Sequence, residues 1–140
     1  MKEHVFRLHR GDDLRKSLEQ YARKHDIGAA VLLSCAGCVS EARLRDASGV
    51  NIRSIDEHCE IVSATGTVSS ARTHVHVSLA NEQLTTFGGH LAEGCIINTT
   101  AEIVLLELDS CRFGSAFDPE TGYQELEIIS LDPHPADQSL

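Results

Sequence analysis

One stretch of this chain carries a helical repeat, and nearly everything else is a succession of short runs in which apolar and polar residues alternate. That imbalance most constrains the fold. Leu14, Leu18, Tyr21 and Ala22 recur at the spacing of one helix face, behind Asp12 and Asp13, either of which can cap the N-terminus. The pattern stops near Asp26-Ile27-Gly28. Strands are expected at 4–9, with Phe6 and Leu8 on one face, and at 29–34, 39–45, 58–66, 73–80, 95–98, 101–109 and 124–130, with Asp46-Ala47-Ser48-Gly49 as a turn. One helix beside so many short strands predicts an α+β domain around a mainly antiparallel β-sheet.

A length of 140 residues suits one domain, expected over 1–131. Residues 132–140, with Pro133, Pro135 and polar neighbours, read as a disordered tail. Aromatic residues make up 4% of the chain and tryptophan is absent, so the core must be Val, Ile, Leu and Ala. No apolar run approaches the ~20 residues that span a bilayer. The start, Met1-Lys2-Glu3-His4-Val5-Phe6-Arg7, lacks the apolar segment of a secretory signal, and a cytoplasmic protein without membrane partners is expected. Cys35, Cys38, Cys59, Cys95 and Cys111 are an odd set within apolar stretches, which fits reduced, buried thiols. Cys35-Ala36-Gly37-Cys38 has no second pair to complete a four-thiolate zinc site and reads as small residues packed where a strand meets a turn.

The histidines carry the chemistry. In Thr73-His74-Val75-His76-Val77-Ser78-Leu79 the valines alternate with His74 and His76, which puts both imidazoles on one face of a strand, roughly 6.5 Å apart in backbone rise. Such a pair alone also fits a solvated strand face. His90 adds a third imidazole, and Gly88-Gly89 before it reads as a glycine turn that aims it back at the strand. Three histidines with a fourth position open to water or a ligand are the donor set of catalytic zinc, or of another divalent transition metal. Glu93 and Glu102 are candidate catalytic residues, as general base or as partners of the ligands, because both lie close to the histidines in sequence. Glu102 sits in an otherwise apolar strand and reads equally as an edge or interface residue needing a partner.

Charge is unevenly placed. Residues 1–53 hold ten Lys/Arg against seven Asp/Glu, and residues 54–140 hold two against fourteen. The half that carries the histidines would repel phosphate backbones. DNA could meet only the N-terminal part, where Arg15, Lys16, Arg23 and Lys24 read as a solvated helix surface, so DNA binding is expected to be weak or absent.

Glu60-Ile61-Val62-Ser63-Ala64-Thr65-Gly66-Thr67, His74-Val75-His76-Val77-Ser78-Leu79-Ala80 and Gly88-Gly89-His90-Leu91-Ala92-Glu93-Gly94-Cys95 together resemble the PPC domain shared by plants and prokaryotes. Asn98-Thr99-Thr100-Ala101-Glu102-Ile103 and Asp118-Pro119-Glu120-Thr121-Gly122-Tyr123 extend the resemblance, which covers residues 4–130. It implies an α+β domain that forms a homotrimer, with a metal, usually zinc, on His74, His76 and His90. The fold is also similar to that of acetolactate decarboxylase, which uses three histidines around zinc. Two departures stand out. Plant members carry basic AT-hooks, and this chain has none. Many prokaryotic relatives place an arginine where Ser115 stands, and if that arginine meets an anionic ligand, this chain has lost the contact or replaced it with Arg72 or Arg112. The resemblance and the residues together imply a metal-binding protein that binds or transforms an unidentified small molecule. The alternative is a DNA-associated regulatory protein whose metal is structural.

Overall fold

The computed structural model describes residues 1–132; the tail expected at 132–140 lies, apart from Asp132, outside the described residues. The helical repeat forms the helix α1 (Leu14–Lys24), which follows strand β1 (Lys2–His9). Of the two candidate caps it is Asp13 that accepts a hydrogen bond from the Lys16 N–H (3.0 Å), while Asp12 closes the preceding turn by accepting from the His9 N–H (2.8 Å). The second oxygen of Asp13 accepts from the Gly94 N–H at 2.7 Å, tying the start of the helix to the segment just past His90. Arg23 and Lys24 in the last turn complement the helix dipole. Leu14, Leu18 and Ala22 are buried against the sheet, each leucine contributing roughly 1.5–3 kcal/mol of transfer free energy.

The strands that follow are β2 (Ala30–Arg45), β3 (Ile52–Ile55), β4 (Cys59–Val68), β5 (Thr73–Ala80), β6 (Thr86–Leu91), β7 (Ile96–Glu107), β8 (Cys111–Asp118) and β9 (Tyr123–Ser130). The fold is α+β, as expected. Seven strands form one antiparallel sheet in the order β1-β7-β2-β4-β5-β6, with β3 paired to β2; β8 and β9 make a separate hairpin. The last residues of β6 return to the end of β2, Leu44 opposite Leu91 and Arg45 opposite His90. The pairings β2–β4, β4–β5, β5–β6 and β6–β2 therefore close a ring, and its interior is filled by Val39, Leu44, Ile61, Val75, Val77, Leu79 and Leu91.

Four strand expectations change. Ala30 to Arg45 is one strand rather than two, because irregularities at Leu32/Ser34, Gly37/Val39 and Val39/Glu41 bend it without ending it. The Cys35–Cys38 segment thus lies mid-strand. The two strands expected at 95–98 and 101–109 are one, β7, while β3 and β8 were not anticipated. Most consequential, Gly88 and Gly89 do not form a turn: they lie inside β6. A Cβ on Gly89 would stand 2.7 Å from the Arg45 carbonyl oxygen, so glycine is what lets β6 approach β2 and close the ring.

All five cysteines are free, and four are buried. Burial pushes Cys35 up to about 12 and Cys95 up to about 11, which keeps both as unreactive thiols. Among the described residues no helix is long and apolar enough to cross a membrane.

Candidate metal centre

His74 and His76 project from β5 on the face opposite buried Val75 and Val77. His90 sits directly across from His76 in the β5–β6 register, so the third imidazole is delivered by strand pairing. One ligand atom from each of the three rings lies within 4.8 Å of the others. The ring centroids are 5.0, 5.1 and 5.5 Å apart. His74 Nε2 and His76 Nε2 are separated by 3.2 Å. Two nitrogens bound to one tetrahedral zinc at about 2.0–2.1 Å stand about 3.3 Å apart, so this spacing fits a shared ion. His90 Nδ1 is buried with no hydrogen-bond partner, a deficit of roughly 1–3 kcal/mol that coordination through this nitrogen would remove. Donor chemistry, spacing and the orphaned nitrogen all fit a divalent transition metal.

The surroundings are cationic although the chain is acidic. Arg72 approaches His74 Nδ1 (3.3 Å), donates to the Gln124 carbonyl (2.8 Å) and faces Glu125 (3.8 Å). Arg15, from α1, lies 3.5 Å from His90 Nε2, donates to the Leu91 carbonyl (2.9 Å) and pairs with Glu19 (3.0 Å). Arg45 faces the cluster from β2. Burial, then Arg45, His74, Arg15 and His76, push His90 down to about 4. Burial, then His76, Arg72 and Arg45, also hold His74 below the ordinary histidine value, with Glu125 opposing. Both rings are therefore held in the neutral form that binds metals.

A cavity of about 510 Å³ opens beside the rings, lined by Arg45, Arg72, Thr73, His74 and His90 on one side and by Ser115, Tyr123, Gln124 and Glu125 of the β8–β9 hairpin on the other. Ser115 thus does face the site, and of the two arginines considered as replacements Arg72 is there, whereas Arg112 pairs with Asp26 (3.7 Å). Glu93 is exposed and pairs with Lys16 (3.4 Å), and Glu102 is exposed on β7 opposite Arg7. Neither lines the cavity. The carboxylate that does is Glu125, which sequence reading missed together with Arg15 and Arg45. A second cavity, about 570 Å³, has an apolar floor of Leu44, Ile55 and Phe87 and, among the described residues, no histidine.

Residues 1–109 match the Plants and Prokaryotes Conserved (PCC) domain. The chain belongs to that family. Among its relatives is the bifunctional protein GlmU of Synechococcus sp. strain JA-2-3B'a(2-13), 40% identical over 135 residues, which are 95% of this chain and 21% of that protein. The PCC chain therefore spans about a fifth of the length of the curated relatives it matches. A hypothetical protein from Salmonella enterica superimposes with a TM-score of 0.89 at 28% identity, over 93% of this chain and 94% of that one. A metal-containing protein from Archaeoglobus fulgidus does so with a TM-score of 0.78 at 28% identity, over 91% and 94%.

Proposed function

We propose that this PCC domain holds a zinc ion on His74, His76 and His90 and uses the adjoining cavity to bind or transform a small molecule. The convergence of three imidazoles, one with an orphaned buried nitrogen, carries this reading. The metal-containing relative from Archaeoglobus supports it. Zinc with three histidine ligands supplies a Lewis acid or lowers the pKa of a bound water to about 7. Arg72 positions His74 and anchors the hairpin through Gln124, and Glu125 is the carboxylate placed to hold or accept a proton at the cavity wall. The test is metal content together with the effect of removing the histidines, developed in the Discussion.

The rival reading, a DNA-associated regulator with a structural metal, predicts a free basic surface. Three of the four cations that would supply it are partnered by carboxylates: Arg15 with Glu19 (3.0 Å), Lys16 with Glu93 (3.4 Å) and Arg23 with Glu19 (3.9 Å). The net charge is −9. Gel shifts at about 150 mM salt should therefore show no duplex binding; a sub-micromolar shift lost on mutating Arg15, Lys16, Arg23 and Lys24 would promote the regulator.

The same proposal includes a homotrimer. Val5 is 73% exposed, and Val31, Val104 and Leu106 beside it are only half-buried, leaving an apolar patch on the sheet face turned away from α1; Leu33 nearby is 55% exposed. Burying such a patch is what subunit association accomplishes. Light scattering at micromolar concentration should give three times the chain mass. A monomer there would contradict it.

A further inference from the structure

We infer that the cavity is an oxyanion site, read out by Arg45, and that its ligand is a small carboxylate- or phosphate-bearing molecule. This rests on the metal reading above and gives it a ligand class. Of the three arginines around the histidines, two are already satisfied: Arg15 by Glu19 and the Leu91 carbonyl, Arg72 by Gln124 and Glu125. Arg45 is half-buried, lines the cavity, and has neither an ion pair nor a hydrogen bond from its side chain among the described residues. In a chain with 21 carboxylates and 12 Lys/Arg, leaving a half-buried guanidinium unpaired runs against composition. Burying a charge without a partner costs free energy, so the partner is to be sought outside the fold.

A bound oxyanion would accept from the Arg45 guanidinium. A divalent ion on the histidines adds positive charge that Glu125, the one carboxylate lining the cavity among the described residues, does not balance. The guanidinium fork matches carboxylate and phosphate alike, and about 510 Å³ is the size of a metabolite pocket. The 570 Å³ cavity makes the contrast: Asp46, Asp56 and Glu57 on its rim leave it unsuited to anions.

The test loads the protein with Co²⁺, whose visible absorption reports on its ligands, and titrates it with oxalate and, separately, with inorganic phosphate. A saturable spectral change is expected with at least one of them, and which one responds separates a carboxylate source from a phosphate source. In Arg45→Gln the response should weaken about ten-fold or more, and in Arg45→Lys less, with cobalt content unchanged in both. Cobalt bound by wild-type protein with no response to either anion, or an equal response in Arg45→Gln, overturns the inference. Failure of wild-type protein to bind cobalt would overturn the metal reading beneath it.

Discussion

Protein purified without chelators is expected to carry about one zinc ion per chain, and His76→Ala is expected to lose it. Three imidazoles with 3.2 Å between two of their nitrogens need little rearrangement to share an ion, whereas two imidazoles without the third lose the closed donor set. Elemental analysis decides it: full stoichiometry after removing any two of His74, His76 and His90 would refute the site. The pH dependence follows from the direction of the shifts. Burial and then neighbouring cations depress His90 to about 4, and burial foremost also depresses His74, so protons compete with metal for these two ligands only below the ordinary histidine range. Zinc should stay bound on dialysis at about pH 6 and be lost as the pH approaches 4. Depressed histidines also make the metal-free fold pH-sensitive. As pH falls from about 6.5 toward 4, the unfolded chain binds protons that the folded cluster refuses, so apo stability should decline across that window and level off below it.

Gly66→Ala should be the most damaging single-methyl addition near the site. Gly66 pairs with Val75, between the pairs Thr65–His76 and Thr67–His74. A Cβ there would collide with the His74 carbonyl oxygen and stand 2.7 Å from Val75 Cα, and both are backbone atoms that cannot swing aside. Elsewhere a glycine-to-alanine change can stabilise a protein by about 0.4–1 kcal/mol through the unfolded chain. Here overpacking forces β4 from β5, and a loss of about 1–3 kcal/mol is expected, with weaker metal binding because the displaced segment carries two ligands. An unchanged denaturant midpoint and unchanged zinc content would show that the strands yield without cost.

The histidine pair was legible because it is local: residues two apart on a strand share a face whatever the rest of the chain does. His90 was legible as a residue type and misplaced as an element, since Gly88-Gly89 reads as a turn until β6 is seen to close on β2. Arg45, Arg15 and Glu125 reach the site through a strand pairing, a helix packing and a hairpin placement separated from the histidines by many residues, and no local pattern encodes those. The same logic explains β2. Glycine and small cysteines at its middle look like a boundary, whereas pairing with β4 and β7 on both sides keeps the strand running. Asp13 could be narrowed only to a pair with Asp12, because its contact with Gly94 lies far away in sequence.

Among the described residues the β8–β9 hairpin pairs only with itself, and its ties to the body include the Phe113 N–H to the Gly28 carbonyl (2.9 Å), the Ser69 hydroxyl to the Phe113 carbonyl (3.2 Å) and Arg72 to Gln124. It nevertheless forms one wall of the cavity. Opening this unit leaves the ring and α1 intact, so it belongs to the low-free-energy end of the molecule's local unfolding events. For a ligand held in the cavity, residence time would then follow how often this peripheral hairpin lifts, a quantity separable from global stability. Arg72, which touches both His74 and the hairpin, joins that opening rate to the orientation of a ligand imidazole.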